Sequence, residues 1–129
     1  MYRLFFALAA LYGFLATAIG AFAAHALRGE LPEPSLRLID TAVRYQFWHA
    51  LALLVLALLL RQLGTSRTGQ GAGIFFALGT LLFCGSLYTL GLSELRHVGP
   101  LPIGLLTPLG GVCLLAGWLL LGLAGWRSR

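Results

Sequence analysis

Arg44, Tyr45 and Gln46 lead into an apolar run, Phe47 to Leu60, that is interrupted only by His49. Tyr45 and His49 stand four residues apart, and Gln46 and His49 three. One face of a helix can therefore offer a hydroxyl, an amide and an imidazole to its neighbours. The run has 14 residues. That is roughly 21 Å of helix, whereas a hydrocarbon core of about 30 Å takes roughly 20 residues. Arg61 and Gln62 close one end, so a crossing helix must borrow Thr41 to Gln46 at the other. The polar residues are drawn to membrane depth or its edge. Polar side chains there are costly and need partners, which makes them a candidate site.

Other uncommon polar groups fall at a similar depth on the same side. His25 closes the first apolar segment; Tyr88 lies roughly 9 Å of helix before Glu94, and Thr107 roughly 7.5 Å after Pro102. Ser86 accompanies Tyr88. The candidate cluster is thus His25, Arg44, Tyr45, Gln46, His49, Ser86, Tyr88 and Thr107. It reads either as a polar pocket at the outward end of a bundle or as bonding between helices, the commoner origin of such groups. His25 alone reads as a cation at a helix C-terminus, and His97 as a solvated loop residue.

Sharper chemistry finds little support. A metal could draw on His25, His49 and Glu94 or His97, but no His-x-x-His or Glu-x-x-His spacing is present. Haem suits two histidines facing across a bundle, and His25 with His49 is the pair available. A small proton-coupled exporter needs a carboxylate within a span, and no Asp or Glu lies in one. Gly-x-Ser-x-Gly is absent, and Ser86 has no adjacent base in sequence. The expectation is a protein that is not an enzyme and has no cofactor and no bound metal.

The elements that must position these groups follow from composition. The chain has 129 residues, 59% hydrophobic and 10% charged, against about 25% charged in a soluble domain. Lipid must solvate much of its surface. The net charge of +5 does not imply nucleic acid, because the arginines sit in gaps between apolar runs rather than in a basic patch. Cys84 and Cys113 fall inside apolar runs and read as small packing residues. The pattern predicts one all-α domain, an integral membrane four-helix bundle with spans at about 4–25, 43–62, 73–93 and 103–126.

Leu4 to Ala24 could be a signal peptide ending at Ala21-Phe22-Ala23, but it is long for one. Ala16, Gly20 and Ala24 suit close helix packing, so it reads as a retained span. Arg28-Gly29 ends it. Ser35 is the expected N-cap of a short amphipathic helix leading into the second span, with Arg37–Asp40 and Asp40–Arg44 in ion-pair register. Leu63 to Gly73 reads as a polar loop, and Gly99-Pro100-Leu101-Pro102 as the last break. Four spans place Arg3, Arg61, Arg67, Arg127 and Arg129 on one side, and Arg28, Arg37, Arg44 and Arg96 with all four acids on the other. The five-to-four bias and the loop positions favour cytoplasmic termini.

Five segments, in this order, resemble the bacterial YgdD-like family of small inner-membrane proteins, a domain-of-unknown-function family with eukaryotic relatives. They are Gly20–Leu27, Thr41–Gln46 with His49–Ala52, Gly85–Tyr88, Thr107–Gly111, and Gly117-Trp118. The resemblance implies a four-span protein of the bacterial inner membrane and brings no established activity. Its segments coincide with the depth-matched cluster. The resulting expectation is a structural or accessory bundle, or one that binds a lipid head group, with membrane lipids as partners. Homo-oligomerisation or membership of a larger membrane complex stays open, and no nucleic acid is expected. The alternatives are an oligomeric small-solute transporter or pore, and a haem- or metal-bearing redox component using His25 and His49.

Overall fold

The computed structural model describes residues 1–128; Arg129, counted above among the arginines of one side, lies outside them. Helix α1, Tyr2–Phe22, continues into a π-helical turn at Ala23–Leu27. The backbone N–H groups of Glu30 and Leu31 both return to the Leu27 carbonyl, at 3.0 and 3.1 Å. Gly29 takes φ +91° to allow this, a conformation that favours glycine.

Helix α2, Glu33–Leu63, is one unbroken element of 31 residues, about 46 Å long. The amphipathic stretch therefore runs straight on into the second span. Ser35 is not the cap. Pro32 occupies that position and Pro34 lies in the first turn, where a fixed φ and a missing N–H cost nothing. The helix accordingly starts three residues earlier than the Ser35 reading allows. Arg37 pairs with Glu33 at 3.7 Å rather than with Asp40, which pairs with Arg44 at 3.1 Å. The earlier start supplies Glu33 as the i−4 partner.

Helix α3, Arg67–Leu92, begins directly after Ser66, whose Oγ accepts from the Gly69 N–H at 3.0 Å. The connection is thus only Gly64–Ser66, and the loop read over Leu63 to Gly73 is mostly helix. Its helical glycines are contact points. A Cβ at Gly69 would lie 2.7 Å from Leu60, and one at Gly73 2.3 Å from the Phe5 ring. A two-residue hairpin, β1 (His97–Val98) with β2 (Leu101–Pro102), turns through Gly99 at φ +59°. A 3-10 turn at Ile103–Leu105 then leads into α4, Leu106–Arg127.

All four helices are long and apolar enough to cross a membrane. Packing follows chain order, α1 on α2, α2 on α3 and α3 on α4. Phe5 and Ala9 of α1, Leu53 and Leu56 of α2, Ala72 and Phe76 of α3, and Leu114 of α4 meet in one buried core. The middle helices bury 44% and 39% of their most apolar windows, the outer ones 17% and 22%. Phe14, Leu119 and Trp126 are more than 70% exposed, an arrangement that lipid tolerates and water does not. The chain is an all-α integral membrane bundle.

Candidate functional site

Gln46 and His49 face the bundle interior because Ile39, Ala42, Gln46, His49 and Leu53 recur at helical spacing along the buried side of α2. Both are 4% exposed, so every polar atom they carry must find a partner.

The Gln46 amide uses both ends. Its Nε2 donates to the Tyr12 carbonyl of α1 at 2.9 Å. Its Oε1 accepts from the Tyr88 hydroxyl of α3 at 2.7 Å. Tyr12 adds a second tie, its hydroxyl donating to the Ala77 carbonyl of α3 at 2.9 Å. One glutamine and two tyrosines thereby join three helices.

His49 is held in a different way. Its Nε2 lies 3.0 Å from the Trp118 indole nitrogen of α4. That indole N–H can only donate, so Nε2 must be the bare acceptor. The proton then sits on Nδ1, which donates to the Tyr45 carbonyl one turn back at 2.7 Å. The ring is neutral, with a single tautomer fixed from both sides. Phe76 and Trp118 pack against it edge-on or tilted, with ring centroids 5.7 and 5.8 Å away. Gly117 makes this possible, because a Cβ there would fall 2.7 Å from the Phe76 ring.

A third tie joins α3 to α4. The Ser86 and Thr107 hydroxyls are 2.6 Å apart, and Ser86 also donates to the Phe83 carbonyl at 2.8 Å. Gly110 lies one turn further along α4. A Cβ there would come within 2.4 Å of the Phe83 backbone nitrogen, so the two backbones touch. Small residues at such crossings let hydroxyls bond across.

The structure therefore brings Tyr45, Gln46, His49, Ser86, Tyr88 and Thr107 into interhelical bonds or against them. It leaves two candidates outside. His25, on the π-helical turn, is exposed and lies beyond Gly20, which faces Val43, whereas Gly13 faces Ala50 at the level of His49. Arg44 is exposed, with Asp40 as its ion-pair partner. A haem or metal site shared by His25 and His49 does not fit, since both ring nitrogens of His49 already have protein partners. Among the described residues no three His, Cys, Asp or Glu side chains converge as a metal site would require.

Sequence reasoning missed Tyr12 and did not assign Trp118 a role. Each carries a polar atom into the middle of an apolar run, where hydrocarbon offers it no partner, and that was the available signal. Tyr45, Trp48, Phe83, Pro108 and Trp118 also wall a sideways cleft of about 730 Å³ between α2 and α4. It is an aromatic, lipid-facing surface in which no charged groups converge. Thr80, 2% exposed, has a hydroxyl with no partner among the described residues.

Comparison with known proteins follows the same outline. A family model described as "Protein of unknown function (DUF423)" matches residues 19–111. UPF0382 inner membrane protein YgdD of Escherichia coli (strain K12) is 42% identical over 121 residues, 94% of this chain and 88% of the relative. UPF0382 membrane protein YwdK of Bacillus subtilis (strain 168) is 36% identical over 122 residues, 95% of each chain. UPF0382 membrane protein SH2409 of Staphylococcus haemolyticus is 37% identical over 119 residues, 92% of each. No solved structure matches the chain significantly.

Proposed function

We propose, for a chain that belongs to the DUF423 family of membrane proteins, that its polar cluster is a structural clasp and that the protein is a non-catalytic membrane bundle. The observation that carries this reading is the closure of the network. Gln46 spends its amide on Tyr12 and Tyr88, and His49 spends both ring nitrogens on Tyr45 and Trp118. A reaction centre or transport path needs a group left over for the substrate. Here His49 has neither ring nitrogen to spare, and Gln46 keeps only one amide N–H outside the network.

The reading is supported further by where the bonds go. They join α1 to α2 and α3, α2 to α4, and α3 to α4. In lipid there is no hydrophobic force between helices, and such bonds with close packing at small residues take its place. An accessory role then belongs to the outer surface, toward lipids or another membrane protein. Cytoplasmic termini belong to the same proposal, resting on the arginine distribution and short loops.

The test is made in proteoliposomes with entrapped pH- and potassium-sensitive dyes. Flux of both ions no greater than in protein-free vesicles is the expected result. Flux that His49→Phe abolishes while the protein keeps its melting temperature would overturn the clasp.

A further inference from the structure

Arg3 and Arg61 stand at the same end of two antiparallel helices, Arg3 in the first turn of α1 and Arg61 in the last turn of α2. Together with Tyr2, Phe6, Ala57 and Leu58 they line a groove of about 370 Å³. Neither arginine has a carboxylate partner among the described residues, where the ion pairs are Arg37–Glu33 and Arg44–Asp40. All four acids, Glu30, Glu33, Asp40 and Glu94, lie at the far end of the bundle. Two positive charges thus line one groove with no side-chain counterion among the described residues. Arg3 also stands in a first turn with no acid, where the helix dipole disfavours a cation.

The depth of the groove narrows what can supply the missing anion. Roughly 20 helical residues cross the hydrocarbon. Counting that many from Arg61 along α2 reaches Thr41, and from Arg3 along α1 reaches Ala23, the two facing edges of the opposite interface. The guanidinium groups therefore sit at head-group level, and Phe6, Ala57 and Leu58 lie just inside the acyl region. Donors are in place: Arg3 Nε reaches the Tyr2 hydroxyl oxygen at 3.4 Å, which leaves the Tyr2 proton free for another acceptor. The rest of the Arg3 fork and the exposed Arg61 are open to solvent or lipid.

We propose that this groove binds an anionic phospholipid, its phosphate between Arg3 and Arg61 and an acyl chain along the exposed Phe6 and Leu58. A charged head above an apolar floor matches an amphipathic anion and gives a small soluble anion no use for the floor. A zwitterionic lipid would bring its own cation against two arginines. Basic pockets between spanning helices are a recurring mode of acidic-lipid recognition. This site is at the opposite end from the interhelical network and does not depend on its role.

The test uses the full chain in nanodiscs of phosphatidylcholine doped with phosphatidylglycerol, with bound lipid counted by native mass spectrometry after release. Wild type is expected to keep one phosphatidylglycerol in preference to phosphatidylcholine by tenfold or more. Arg3→Gln and Arg61→Gln should each weaken retention about fivefold, the effect of about one surface cation, with Arg3→Lys and Arg61→Lys keeping most of it. Arg67→Gln, at the same end but outside the groove, should change it less than twofold. Equal retention of the two lipids by wild type overturns the site. So does an Arg67→Gln effect as large as that of Arg3→Gln, which means diffuse surface charge. Glycerol phosphate alone protecting the fold as well as the lipid does would mean a soluble-anion site instead. Melting in pure phosphatidylcholine discs should be unchanged in every variant, which separates lost binding from lost folding.

Discussion

Breaking the Gln46–Tyr88 bond offers the sharpest energetic test, because each partner can be removed separately. Tyr88→Phe deletes the hydroxyl that lies 2.7 Å from Gln46 Oε1 and leaves a buried amide oxygen without a donor. Gln46→Leu deletes the amide and leaves the Tyr88 hydroxyl without an acceptor. The Tyr12 carbonyl, which Gln46 also binds at 2.9 Å, is an interior helix carbonyl of α1 and keeps its own i+4 bond. Interhelical bonds in membranes are worth about 0.6 kcal/mol on average and up to about 1.7, and an orphaned buried group adds about 1–3. Each single variant should therefore lose about 1–2 kcal/mol, from the lower ends of both ranges. The double variant leaves neither orphan and loses the bond only once, so it should lose less than the sum by about 1–3 kcal/mol. Reversible unfolding in mixed micelles, titrated with a denaturing detergent, reads all four corners of the cycle. Strict additivity, or single variants as stable as wild type, would refute the bond as a tie between α2 and α3.

Trp118→Phe should lower stability by about 1–2 kcal/mol in the same assay, since the buried His49 Nε2 acceptor loses its donor while an aromatic ring is kept. Gly110→Ala forces a Cβ to within 2.4 Å of the Phe83 backbone nitrogen and should cost about 1–3 kcal/mol by overpacking. Gly122→Ala, which meets nothing within 4 Å, should be neutral or gain up to about 1 kcal/mol from helix propensity. Thr80→Val swaps an unpartnered buried hydroxyl for a methyl of the same shape and should be neutral or stabilising by up to about 1 kcal/mol. A loss there would mean that the hydroxyl has a partner such as bound water.

Length and periodicity made the four helices legible, and one shortfall pointed inward. The run Phe47 to Leu60 is too brief to cross alone, and the residues it borrows include Gln46, which is buried as His49 is. Counting along a helix gives depth but only loosely gives direction. His25 and Arg44 have a suitable depth and still lie on exposed faces. Much of the network ends on backbone carbonyls, those of Tyr12, Tyr45, Ala77 and Phe83. Carbonyls are common to every residue, so no residue type marks them as acceptors. Trp118 and His49 are 69 positions apart, and no local pattern joins them. The glycines after Arg67 were misread for a related reason. In water they signal a loop, whereas between membrane helices they mark where another chain segment comes close. The pairing of Ser86 with Thr107 was within reach, because both are small hydroxyls near the outward ends of consecutive spans.

The central claim, a polar network closed upon itself, is tested most directly at the His49 ring. Nitrogen-15 spectra of histidine-labelled protein in bilayers, with His25 and His97 replaced by glutamine, isolate that one imidazole. A closed network requires a single neutral tautomer with the proton on Nδ1, a bare Nε2, and a through-bond contact to the Trp118 indole that vanishes in Trp118→Phe. A ring protonated on Nε2, or on both nitrogens at neutral pH, would contradict it and return His49 to the list of groups free to act on something else.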